Sequence, residues 1–224
     1  MTFDGPDRRD YDNVASLNIA YLTLLRRDSS LRPDPALDPT AVCERIADLD
    51  STRIRRLAET PFLLLSFREA DERYWTRILE DGTVRALFSL PGTRDIDTLV
   101  SGAFGFLWQL ARRNPYALRL ICGATMYWCE RIAEQTFFRL LSAIRQSGDI
   151  PAPRLAHRPA LWNQLLDQGT SGCDHTRHAA QVAALQAVLT EPAGRMSAPL
   201  PRVARHLNSP GRLMAGENDP HSHS

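Results

Sequence analysis

Lysine is absent. All 27 basic side chains are arginine, they stand against 26 carboxylates, and the formal net charge is +1. Such a balance gives no overall basic field to draw the chain onto nucleic acid by itself. Cysteine is sparse. Cys43, Cys122, Cys129 and Cys173 are spaced as neither a disulfide framework nor a C-x-x-C redox pair. No run reaches the ~18 apolar residues of a membrane span, and the opening MTFDGPDRRDYDN is too acidic and polar for a signal peptide. A cytoplasmic protein with reduced thiols is expected. Also missing are G-x-S-x-G, the P-loop, G-x-G-x-x-G and H-E-x-x-H. No enzymatic activity, cofactor or metal is therefore expected.

Apolar residues make up 43% of the 224, enough for a packed core. Charge is unevenly placed: residues 1–82 hold 12 arginines against 16 carboxylates, and residues 83–224 hold 15 against 10. Two parts that meet different surfaces would show such a split. The apolar spacing is helical nearly throughout, which predicts a mostly α, multi-helix fold. A first helix, capped by Asp12 or Asn13, runs to about Arg27, with Leu17, Tyr21, Leu24 and Leu25 on one face. Ile19, Ala20 and Leu22 make it apolar on more than that face, as expected of a helix buried by its own domain or by another subunit. After a proline-rich break, helices are predicted at Thr40–Leu49 and Ser51–Glu59. Pro61 then forces an extended exit, and PFLLLSF reads as a buried strand. A short helix near Glu72–Leu79 and a linker over 83–94 follow. Long helices are predicted over Asp95–Arg113 and, restarted by Asn114-Pro115, on to Arg145. Shorter ones are expected at Pro159–Gln168 and Thr176–Leu189. Residues 191–224 are rich in Pro, Gly, Ser and Asn, and disorder is expected there. The division is thus 1–82, 83–190 and 191–224.

Three patterns carry functional weight. The pair Thr40–Leu49 and Ser51–Glu59 has helix-turn-helix proportions, with Arg53, Arg55 and Arg56 partly outward for phosphate or guanine edges. Its corner lacks the usual glycine, and Asp48 and Asp50 oppose phosphate at its N-terminus. Cys173, His175 and His178 gather zinc-type donors in six residues, without the fourth ligand or a knuckle. The aromatic stretch Phe104–Phe138 reads as helical-hairpin core or, alternatively, as the walls of a small-molecule sensor. CERIA occurs at both 43–47 and 129–133, with flanks that do not align.

LNIAYLTLLRR (17–27), RIADLD (45–50) and above all RLAETPFLLLSFR (56–68) resemble FlhD, one half of the FlhD–FlhC activator of bacterial flagellar genes. Asn18, Tyr21, Leu22, Leu57, Ala58, Glu59, Thr60, Phe67 and Arg68 stand at matching positions, and order and spacing agree over about residues 13–81. The resemblance implies a helical N-terminal dimerisation module with one short extended segment. It puts Leu17, Tyr21, Leu24, Leu25, Leu63 and Leu65 at the interface of a homodimer. It also implies an FlhC-like partner and DNA bound by the joint complex. Leu65 stands where FlhD proteins often carry a linking cysteine, so no such disulfide is expected. The last hundred residues have no FlhD counterpart. DNA contact by this chain is expected from Arg112, Arg113, Arg119, Arg131, Arg139 and Arg145, in the positive second part. The alternative is an adaptor that uses the same module without touching DNA.

Overall fold

The structure is a computed structural model that describes residues 4–28, 42–80, 95–147 and 151–190. The linker expected over 83–94 and the tail over 191–224 lie outside them. The described chain is mostly helical, as its periodicity predicts. In order it runs α1 (Arg8–Arg27), α2 (Val42–Ala47), α3 (Ser51–Ala58), β1 (Leu65–Ser66), α4 (Glu72–Glu80), α5 (Asp95–Arg113), α6 (Pro115–Cys122), α7 (Met126–Glu134), α8 (Phe137–Ser147), β2 (Ala152–Pro153), α9 (Pro159–Asp167) and α10 (Asp174–Thr190).

Several helix ends follow from local chemistry. α1 starts earlier than Asp12: Asp7 caps it, and Asp10 reaches back to the Asp7 N–H in a reciprocal capping box. Asp50 caps α3 through Thr52 and Arg53 N–H, both at 2.8 Å. Both cap carboxyls are held below their usual value, Asp7 chiefly by the Asp10 N–H and Asp50 chiefly by the Arg53 N–H. The caps are therefore intact at neutral pH and fail as acid protonates them. The single helix expected from Asn114 to Arg145 is three. Gly123 ends α6 in the left-handed region at φ 62, Thr125 caps α7, and Thr136 caps the first turn of α8. A side chain at 123 would also strike α10, because a Cβ there falls 2.4 Å from Val188 Cγ1 and 2.8 Å from its carbonyl oxygen.

One cluster of buried side chains extends from Val14 to Val188 and draws on both sides of residue 82. α1 packs on α3, α2 and α5, while α5, α6 and α7 pack on one another. The apolar run after Pro61 is buried and extended, but only Leu65–Ser66 forms a strand. It pairs antiparallel with Ala152–Pro153, a partner nearly ninety positions away.

This packing bears on the residues expected at a dimer interface. Tyr21, Leu24, Leu25, Leu63 and Leu65 are all buried within a single chain, and Leu17 packs partly buried against the same core. The apolar stripe of α1 is covered by α2, α3 and α5. Its greasiness is explained without a second copy.

Candidate interaction surfaces

Two buried polar side chains fix the first third of the chain. Asn18, fully buried on α1, donates from Nδ2 to the Phe62 carbonyl at 3.0 Å and the Ala58 carbonyl at 3.2 Å, with Thr60 Oγ1 at 3.3 Å. Its Oδ1 accepts from the Leu64 N–H at 2.8 Å. One amide thus ties α1 to the end of α3 and to the extended run. That segment leaves the helix at Pro61 and cannot satisfy its own backbone groups. From the other side comes Arg154, just past β2. Its Nε donates to the Leu63 carbonyl at 2.6 Å. Its Nη2 donates to the Leu65 carbonyl and to Glu69 Oε1, both at 2.7 Å, and its Nη1 donates to the Cys122 carbonyl. Glu69 is buried too and accepts from Ser66 Oγ at 2.6 Å. A planar five-donor guanidinium is the one side chain that can meet four acceptors in this fan.

Three of the four arginines of the α2–α3 pair turn to the chain's own C-terminal helices. Arg53 donates to the Leu166 carbonyl at 3.0 Å and to Thr170 Oγ1 at 3.1 Å. Arg56 reaches the Thr170 carbonyl at 3.4 Å, and Arg45 pairs with Asp167 at 2.5 Å. They neutralise the carbonyl-rich C-terminal end of α9, where cations are favoured. Of the three considered for DNA, Arg55 alone is exposed. Apart from Arg55, the arginines of this helix-turn-helix outline are thus committed to the chain's own C-terminal helices.

A second pair has that outline where none was expected. α6 and α7 are joined by a three-residue turn containing Gly123 and rest on α5, with Leu118, Cys122, Ala124, Cys129 and Ile132 buried between them. The signal was present in the sequence as glycine followed two residues later by a capping threonine, but the apolar pattern ran unbroken across it. The exposed stripe of α7 is Tyr127, Glu130 and Glu134, with Arg131 held 3.9 Å from Glu134. Two exposed carboxylates oppose phosphate.

The six arginines expected on DNA divide. Arg113 binds Asp7 and Asp10, locking the cap of α1 to the end of α5. Arg139 donates to the Leu79 carbonyl at 2.9 Å, and Arg145 to Ser101 Oγ at 3.1 Å. Arg112 lies 5.1 Å over the Trp108 ring, and Arg131 is held by Glu134. Arg119, exposed on α6, is the one with no such tie among the described residues. Three of them, Arg113, Arg139 and Arg145, thus bond across helix junctions, while Arg112 and Arg131 are held within their own helices.

Cys173, His175 and His178 all lie exposed at the start of α10, and among the described residues no group of three or more metal-type donors is placed to hold an ion. Hydrogen bonds from Thr176, backbone first, lower the Cys173 thiol. Burial drives Cys122 well up and pushes Cys129 to about 12. Cys43, Cys122 and Cys129 are buried. Of the four thiols, one is therefore expected to react with Ellman's reagent in the native protein within minutes at pH 8, and all four in denaturant. Cys173→Ser should remove the fast one. Two or more fast thiols would contradict this packing.

Phe104 is fully buried against Phe67 and Trp75, at ring distances of 4.4 and 5.8 Å, so this part of the aromatic stretch is core. Among the described residues no helix is long and apolar enough to cross a membrane. The molecule defined here is a mostly helical protein whose polar clusters tie its own elements together. No family model, curated protein or solved structure matches the chain.

Proposed function

We propose that this chain is a non-enzymatic, cytoplasmic regulatory protein, FlhD-like in its first third, that works as a dimer through a protein partner of FlhC type. The observation that supports the reading is the Asn18 clamp. The residues that carry the resemblance are the ones it joins: Asn18 itself, Ala58, Thr60 and the apolar run that follows. They form one spatial unit rather than a scatter of matched letters.

DNA, in this reading, is held by the joint complex. Most of the expected arginines are engaged inside the chain, and phosphate neutralisation dominates affinity for DNA. A second copy would meet the outward face of α1, where Tyr11 and Ile19 are 39% and 38% exposed, rather than the buried stripe. The adaptor reading without DNA draws on the same engaged arginines and on the two exposed carboxylates of α7.

One experiment separates them. The full chain, alone and with an FlhC-type protein, is tested for a mobility shift on a flagellar promoter over a salt series. The regulator reading expects no specific shift alone and a salt-sensitive shift with the partner. Co-purification with the partner but no shift selects the adaptor, and neither result in either condition defeats both.

A further inference from the structure

We infer that the outward face of α10 is a self-association surface, covered by the α10 of a second copy of this chain lying antiparallel to it. The surface is separate from the outward face of α1 and lies outside the FlhD-like third. The inference therefore goes beyond the proposed regulatory function and does not depend on it.

α10 is apolar on two sides. Its inner side carries Ala180, Ala184, Ala187 and Val188, all buried in the chain's own core. Its outer side carries Val182, which is 37% exposed, with Leu185 and Leu189 half-buried beside it. The thirteen residues from His178 to Thr190 contain no Asp, Glu or Arg, in a chain that is 24% charged. A helix at the surface ordinarily turns charged and polar residues outward, and one that is apolar all round is covered on every side. The inner face of α10 has its cover within the chain, and the outer face calls for one from elsewhere.

The pattern of that face names the cover. His175, His178, Val182, Leu185 and Leu189 recur at steps of three, four, three and four. Such a seam is what two helices need to pack knobs into holes. Its two ends differ: imidazoles stand at the N-terminal end and leucine at the C-terminal end. A parallel pair would stack histidine on histidine and set like helix ends together. In an antiparallel pair Val182 meets the partner's Leu185, and His178 meets the partner's Leu189. These layers are related by a twofold axis through the middle of the helix, as a closed pair of identical chains requires. The positive N-terminal end of each helix then lies by the carbonyl end of the other. His175 and His178 stand at that junction, and histidine is suited to bonding the last carbonyls of a helix. Ala179 and Ala183 flank the seam and let the backbones approach. A helix pair this short buries less than the ~800 Å² per partner of a standard interface, so the association is reversible.

The test is sedimentation equilibrium of the full chain over a concentration series. The expected result is a reversible doubling of mass that survives Ile19→Glu, a change on the α1 face. Ala179→Glu/Val182→Glu, at two exposed positions, sets like charges across the seam and should abolish that doubling while the thermal melt stays that of the parent protein. A mixture of Val182→Glu and Leu185→Arg chains tests the register. The new charges share a layer only if the helices are antiparallel as argued, so the mixture should recover the doubling that Val182→Glu loses by itself. No doubling, a doubling that Ile19→Glu removes, one that Ala179→Glu/Val182→Glu keeps, or no recovery in the mixture would each overturn the proposal. Failure here leaves the promoter experiment intact. Failure of that experiment, with the doubling as expected, would leave the α10 surface standing and the regulatory reading wrong.

Discussion

Arg154→Met is expected to lower stability by about 3–5 kcal/mol, the cost of removing one partner from a buried ion pair. The substitution strands the Glu69 carboxylate, which is 3% exposed, and leaves the carbonyls of Leu63, Leu65 and Cys122 without their donor. For a protein of this size each kcal/mol moves the melting temperature by about 2–4 °C, so a fall of roughly 6–20 °C should appear in a thermal melt followed by circular dichroism. Arg154→Met/Glu69→Leu removes the stranded charge and should recover part of the loss. It should not recover all of it, because three carbonyls remain unpaired. A single variant that melts within 2 °C of the parent protein, about the least that 1 kcal/mol would give, would mean that this pair holds nothing together. A double variant no better than the single would place the loss in the carbonyls instead of the charge.

Asn18→Leu is expected to cost about 3 kcal/mol, from the unpaired Leu64 N–H and Ala58 carbonyl, each worth about 1–3 kcal/mol when buried and unmet, while the Phe62 carbonyl keeps the Thr60 hydroxyl. Leucine has the branching of asparagine but more bulk, so no cavity opens, and the loss reports the hydrogen bonds together with some overpacking. Asn18→Asp is the informative companion. It keeps the acceptor for Leu64 but replaces the donor by a second oxygen, and it buries a charge, so it should be worse than leucine. Urea unfolding with an unchanged slope would confirm a loss of stability rather than of compactness. If leucine is tolerated within 0.5 kcal/mol, the range of ordinary surface substitutions, the extended run is held by its apolar contacts and Arg154 without help from Asn18.

Much of the architecture was legible because it is written locally. The helical period, the restart at Asn114-Pro115 and the break at Pro61 act within a few residues, and the structure has them where the pattern put them. The break inside 114–145 was harder to see. Cys122, Ala124, Cys129 and Ile132 keep an apolar rhythm straight across Gly123, and only the left-handed backbone at that glycine ends the helix. Neither polar keystone could be weighed from its neighbours. Asn18 reads as one polar residue in an apolar helix, and Arg154 as one arginine after two prolines, until the acceptors at 58–69 and 122 are brought to them.

The sequence by itself determined that this protein is helical, that it carries the acidic and basic imbalance of its two parts, and where most helices begin, because caps, breakers and periodicity are short-range physics. Only the tertiary structure decided what the apolar face of α1 rests on and what the arginines do. An apolar stripe is silent about whether its cover comes from its own chain or another, and a guanidinium serves phosphate and helix-end carbonyls alike. Those outcomes depend on which acceptors and which surfaces arrive from far along the chain, as α9 does, more than a hundred residues on, at Arg45 and Arg53.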